Sequence, residues 1–180
     1  MEHEGMFRTA SLRVLEQYRR PDEGDWVFIA DADEFYVPAS HTLRELAAYA
    51  TASLAVRIRI HTVWGYEDRH LVHRIDNAWS TLYEPRLWRW LPGGEFANKA
   101  MACRNEPTYI TQNTHQIATP SGVESAILHF GYASAADREE RYKRYSSLAD
   151  HGHHPPMIES IMDERVVTTP WAHTIPATPI

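Results

Sequence analysis

The stretch Trp26-Val27-Phe28-Ile29-Ala30-Asp31-Ala32-Asp33-Glu34-Phe35-Tyr36-Val37-Pro38 decides how this chain is read. Its first five residues are an unbroken apolar run. Such a run predicts a short strand covered on both faces, as in a parallel sheet, because a one-sided strand would alternate. The run stops at Asp31-Ala32-Asp33-Glu34. In an open α/β sheet, loops leave the layer at the carboxyl ends of strands and side chains there meet ligands. In an extended segment Asp31 and Asp33 project to the same side. Two carboxylates aimed at one point suit a hard cation, Mg2+ or Mn2+, which in turn holds diphosphate oxygens. The same acids would also serve as caps of a turn or of the next helix. An EF-hand is excluded, since the loop glycine and terminal glutamate of that pattern are missing.

Upstream, Phe7, Ala10, Val14, Leu15 and Tyr18 recur at helical spacing opposite Arg8, Arg13, Glu16 and Arg19, predicting a helix from Met6 to Tyr18 with its apolar face on the sheet. Downstream, Thr42 and Glu45 form a capping box that opens a helix with Leu43, Leu46, Ala47 and Ala50 facing the core. Leu54 to His61 alternates cleanly and reads as a half-buried strand, with Arg57, Arg59 and His61 on its polar face. Weaker strand signals cover Leu71–Ile75, Leu82–Trp90, Thr108–Thr111 and Ser125–Phe130. A helix from Ala135 to Leu148 follows, capped by Ser134 with Asp137 at its third position and laced by acid-before-base pairs. Residues 1–150 thus read as one α/β domain, a mixed sheet flanked by helices. Residues 151–180, rich in Pro, His and Thr, read as a tail packed on the surface with one short helix around Ile158–Met162.

Composition bounds the function. A chain of 180 residues with 43% hydrophobic and 23% charged residues is ordinary globular material. A net charge of −6 opposes nucleic-acid binding, which rests on cations neutralising phosphates. No run approaches the roughly 20 apolar residues of a membrane span. The acidic start, Met1-Glu2-His3-Glu4-Gly5, lacks the pattern of a secretory signal, so a cytoplasmic location is expected. The single cysteine, Cys103, excludes an internal disulfide framework and a Cys-rich zinc site, and it has no neighbouring pattern that marks a nucleophile. His151, His153 and His154 precede Pro155-Pro156 and read as a surface loop. No phosphate-binding glycine loop and no G-x-S-x-G elbow occurs.

The segment Trp26–Pro38 resembles the D-x-D segment of glycosyltransferases of the GT-A fold, in the broad family 2 group. The Arg-bearing helix before it, Pro85-Arg86-Leu87-Trp88-Arg89-Trp90, and His129-Phe130-Gly131-Tyr132-Ala133-Ser134 with Asp137-Arg138-Glu139-Glu140-Arg141-Tyr142 are similar to stretches of that family. The resemblance implies a truncated GT-A-like, Rossmann-like mixed sheet and a metal-dependent transfer of sugar from a nucleotide-sugar donor to a hydroxyl of a glycan or small-molecule acceptor. By it, Asp31 lies near the ribose of the donor, Asp33 binds the metal bridging the diphosphate, and His129 completes the metal site. Nitrogen beside carboxylates suits Mn2+. Such a transfer needs a general base for the acceptor hydroxyl. Glu95, in the flexible turn Pro92-Gly93-Gly94-Glu95, is the first candidate, with Asp76 and Glu84 behind it. Trp88 and Trp90 would form a sugar-stacking platform or sit in the core.

The family pattern normally opens with βαβα units that hold the nucleotide, and one βαβ unit takes about 30 residues. Only Met1–Asp25 precede the D-x-D strand here, room for a single helix. An exposed sheet edge is therefore expected, and with it oligomerisation or instability. Two other readings compete: a non-catalytic carbohydrate- or partner-binding remnant of the fold, and a metal-assisted phosphoester hydrolase.

Overall fold

The computed structural model of the chain describes residues 4–19, 22, 24–76, 82–97, 105–147, 158–163 and 165–172. It is a curled mixed sheet flanked by helices, an α/β fold. Its spine is β3 (Ala55–Glu67). Antiparallel to β3 runs β5 (Leu82–Arg89), and antiparallel to β5 runs β1 (Trp26–Phe28). On its other side β3 takes β7 (Ala126–His129) in parallel, and β2 (Glu34–Val37) closes antiparallel on β7. The two-residue strand β6 (Ile117–Ala118) also pairs in parallel with the start of β3. The far end of β3 turns through Asp68 and Arg69, both at positive φ, into β4 (His70–Arg74), and β8 (Thr168–Pro170) adds antiparallel to β4.

The helices close both faces. Helix α2 (Leu43–Tyr49) starts at the Thr42–Glu45 capping box, with both reciprocal hydrogen bonds made. It buries Leu46 and Ala50 on Val56, Ile58, Ile60, Leu87 and Ile127. On the opposite face α1 (Glu4–Tyr18) and the short helix α3 (Thr108–Gln112) place Leu12 and Ile110 against Ala55, Trp88 and Phe96. Helix α4 (Ala135–Ser146) starts at the Ser134–Asp137 capping box. It packs Tyr145 with Trp64, Tyr132, Ile158 and Ile161.

Several expectations change. The strand at Trp26 is not a doubly buried member of a parallel set. It is an edge strand with only one neighbour among the described residues, antiparallel, and its residues are half-buried. The alternating strand is the central one. Its polar face carries Ala55 and His61, which are buried, while Arg57 and Arg59 lie half-buried. Periodicity reports which faces are dry, not how many neighbours a strand has. Thr108–Thr111 is helical, not extended: Pro107 precedes it, and the Thr108 amide is held by the Glu95 carbonyl at 2.7 Å. The C-terminal segment expected as a surface tail contributes buried Ile158 and Ile161 as well as β8. His151, His153, His154 and Cys103 lie outside the described residues.

The C-terminal segment is tied down by Arg74, which is completely buried. Its Nε lies 2.5 Å from Asp76 Oδ1, Nη2 3.0 Å from Asp163 Oδ2, and Nη1 donates to the Ser160 carbonyl at 2.6 Å. The guanidinium also covers the Trp64 ring at 4.7 Å.

Candidate functional site

Strands β1 and β2 lie on opposite sides of β3, so the chain crosses the sheet between them through Ile29–Asp33. The acidic motif is that crossing. It is a turn, closed by the Glu34 amide donating to the Asp31 carbonyl at 3.0 Å. The expectation that Asp31 and Asp33 share one direction as an extended pair therefore does not hold. Each carboxylate has its own cationic partners.

Asp33 meets the segment that begins at His129. The β2–β7 register sets Glu34 opposite His129, and the Phe130 amide donates to the Asp33 carbonyl at 2.8 Å. This leaves His129 Nε2 3.3 Å from Asp33 Oδ2, two residues almost a hundred positions apart. Arg141, from α4, pairs with the same Asp33 oxygen and lays its guanidinium over the Tyr132 ring at 4.8 Å. Gly131 is the hole that admits this pair: a Cβ there would fall on the Arg141 guanidinium and 2.5 Å from Asp33 Oδ2. The hydrogen bond to His129, with the charges of His129 and Arg141, holds the Asp33 carboxyl at about 2 against the opposing effect of burial.

Asp31 belongs to a second cluster. Arg8 Nη2 donates to its Oδ1 at 3.1 Å, and Arg86 Nη1 stands 3.7 Å from its Oδ2. Arg86, itself buried, puts Nη2 2.6 Å from the buried Glu34 carboxylate and Nε 3.1 Å from Glu84. Burial pushes the Glu34 carboxyl up, with Arg86 working the other way. Glu34 Oε2 accepts from the Asp31 amide at 2.9 Å, so this acid holds the turn itself. Asn105 ties the cluster together, donating to Glu84 at 3.0 Å and accepting from Arg8.

The other sequence candidates separate. Glu84 shares Arg86 with Asp31 and belongs to this site. Glu95 does not contact it. It is 67% exposed and pairs with Arg13 at 3.3 Å, in a loop that Arg13 and Glu16 fasten to α1 through Gly93. Asp76 is committed to Arg74. Trp88 is completely buried and Trp90 nearly so, and Trp88 Nε1 donates to the Asn105 carbonyl at 3.2 Å, which makes both core residues instead of a sugar platform. Sequence reasoning gave no role to Arg8, Glu34, Arg86 or Arg141. The available signal was Arg86, a cation directly before the apolar pair Leu87-Trp88 in its strand.

No protein-family model, no curated protein and no solved structure matches this chain. Among the described residues no helix is long and apolar enough to cross a membrane.

Proposed function

We propose that the chain carries the catalytic site of a metal-dependent glycosyltransferase, which moves sugar from a nucleotide-sugar donor to an acceptor hydroxyl. The observation that supports this reading is the meeting of Asp33 and His129, because the two segments that resemble the family independently of each other are the two that touch. Their geometry suits a divalent ion. Two neighbouring ligands of an octahedral ion at ~2.1 Å stand about 3 Å apart, and the 3.3 Å between His129 Nε2 and Asp33 Oδ2 is close to that. Among the described residues no group of three or more His, Cys, Asp or Glu forms a complete cage. Asp33 and His129 would thus hold one edge of Mn2+ or Mg2+ and leave the remaining positions to water and diphosphate oxygens, as is usual for these ions.

When bound, the ion would neutralise charge developing on the departing diphosphate. The protein's own groups act around it. Arg141, already at the Asp33 carboxylate, is a donor for the same phosphate oxygens. Buried Arg86 keeps Asp31 and Glu84 oriented, and among the described residues its Nη1 makes no hydrogen bond. Glu84 replaces Glu95 as the base that takes the acceptor proton, since it alone of the three candidate acids stands beside the acidic turn. The test is calorimetric titration of Mn2+ into the wild type, Asp33→Asn and His129→Ala, with release of nucleoside diphosphate followed over a panel of nucleotide sugars. Mn2+-dependent release that both substitutions abolish is expected. Release without metal, or Mn2+ binding indifferent to both, would refute the proposal.

One observation favours the non-catalytic reading of the fold. Asp31, Asp33 and Glu34 each already have an arginine partner, as in a structural ion-pair network. Under that reading the chain binds a glycan or a protein without turnover and takes up no Mn2+.

A further inference from the structure

We propose that the open edge of β1 and the adjoining flank of α1 form the interface of a two-fold symmetric dimer of this chain. Two unrelated irregularities meet there.

The first is in the backbone. The Ile29 amide donates to the Arg86 carbonyl at 3.0 Å, and the Trp90 amide donates to the Asp25 carbonyl at 2.9 Å. With Val27 opposite Trp88, the residues turned toward β5 are Asp25, Val27 and Ile29. Antiparallel pairing alternates, so the N–H and C=O groups of Trp26 and Phe28 point the other way, where no strand follows among the described residues. An unpaired edge of this kind is a template for another strand.

The second is in α1. Its apolar stripe does not face the sheet as its sequence predicts. Phe7 is 71% and Tyr18 86% exposed, with Val14 and Leu15 about half exposed, while Leu12, outside the stripe, is buried. The opposite flank is polar and engaged. Thr9 accepts from the Phe96 amide at 3.0 Å and Glu16 from the Gly93 amide at 3.0 Å. That loop leaves β5. Leu12 packs in one cluster with Val27 and Ile29 of the β1 segment, so α1 lies over β1, and the flank opposite Thr9 and Glu16 is the one turned from that loop toward the open edge.

One operation satisfies both. A two-fold axis through Val27 sets Trp26 opposite Phe28 of the second copy and the reverse, so their outward amides and carbonyls pair with one another. The same axis brings the two α1 helices together antiparallel on one face of the joined sheet. Phe7 then faces Tyr18 of the second copy, and small Ser11 faces Val14, which lets the helices approach. The four exposed apolar side chains offer on the order of 400–500 Å². Together with the strand edge this approaches the ~800 Å² per partner of a stable association. A second copy fits because the surface is complementary to itself under that rotation.

The experiment is sedimentation of the full chain across the micromolar range, with Val14→Glu and Tyr18→Glu as variants. Both positions are exposed in the single chain, so the substitutions spare its fold, which far-UV circular dichroism checks. A wild-type dimer is expected, weakened at least tenfold by either glutamate. In a Cys103→Ser background, the pair Ser11→Cys and Val14→Cys should oxidise to a covalent dimer, which only the antiparallel helix pairing allows. A wild type that sediments as a monomer throughout overturns the proposal, as does a dimer that keeps its affinity in both glutamate variants or fails to cross-link. Neither outcome bears on Mn2+ binding by Asp33, so this inference and the proposed function fail separately.

Discussion

Gly131→Ala tests whether the Asp33–Arg141 pair is built as described. The backbone of Gly131 is not at positive φ, so alanine brings no conformational strain. Its Cβ would instead coincide with the Arg141 guanidinium and stand 2.5 Å from Asp33 Oδ2. Both obstacles are ends of side chains, and the cheapest response is for Arg141 to swing out. What is lost is a charge-assisted hydrogen bond, worth about 1.5–3 kcal/mol when well shielded. The side chains are 19% and 32% exposed, so solvent reduces this to ~1–2 kcal/mol. For a domain of this size that lowers Tm by about 3–6 °C. The cause is isolated by a double-mutant cycle with Arg141→Ala, measured by urea unfolding. With the guanidinium absent, Gly131→Ala loses most of its effect, a coupling of about 1 kcal/mol. Additivity within ~0.5 kcal/mol, the behaviour of independent sites, would refute the account of Gly131 as the seat of the pair.

Three further outcomes follow from the ion pairs. Arg74→Met should destabilise the chain by about 2–4 kcal/mol, because it strands Asp76, Asp163 and the Ser160 carbonyl; limited proteolysis should then cut first in the C-terminal segment, and an unchanged urea midpoint would contradict its anchoring. Asp33 is held at about 2 against an ordinary 3.8, so its stabilisation is complete above pH 4 and is lost as pH falls toward 2. After discounting for its exposure the loss is ~1–2 kcal/mol; Asp33→Asn should flatten the acid limb of the stability curve, and a limb of unchanged slope would contradict the assignment. Glu34 acts in the opposite sense: burial raises its carboxyl and disfavours the anion, so it lowers stability as pH rises through its titration; Glu34→Gln should remove that fall in urea midpoints measured across the range, and a fall that persists would contradict the assignment. Finally, under the proposed transferase activity, Glu84→Gln should slow turnover by at least a hundredfold while Glu95→Gln leaves it within twofold, measured as nucleoside diphosphate release; the reverse order would return the base to the Gly93–Glu95 turn.

What could be read from the residues was what is local. Helices α2 and α4 declare themselves because each capping box joins residues three apart, and both boxes are made. The contact between Asp33 and His129 was implied by the family resemblance of their two segments, and the antiparallel β2–β7 register makes it, since Asp33 immediately precedes Glu34, which lies opposite His129. The partners of the carboxylates were not legible. Arg8, Arg86 and Arg141 reach the acidic turn from α1, β5 and α4, and nothing near them in the chain marks that destination. Hydrophobic pattern does not give position in the sheet: the apolar run at Trp26 predicts a strand covered on both faces and is an edge, and the half-buried alternating strand is the centre. A three-residue edge can be wholly apolar when helices cover its faces, and a central strand can carry Arg57 and Arg59 when their stems are half-buried.

The misplaced face of α1 has the same origin and a larger consequence. An amphipathic stripe predicts that a helix buries one side, and it is silent about what covers that side. In this chain the inward side is chosen by polar contacts instead: Arg8 to Asp31, Thr9 to Phe96, Glu16 to Gly93. These contacts fasten the helix to both the acidic turn and the loop after β5. Rolling the stripe onto the sheet would break all three and withdraw a cation from Asp31. The exposed stripe is therefore the cost of holding the acidic turn in place, and an assembly that covers the stripe would also lock Arg8 onto Asp31. In the proposed dimer the helix that carries the covered stripe also carries Arg8, which reaches Asp31, so a charge at Val14 that separates the copies should leave the Asp33–His129 contact, and with it Mn2+ affinity in calorimetry, unchanged.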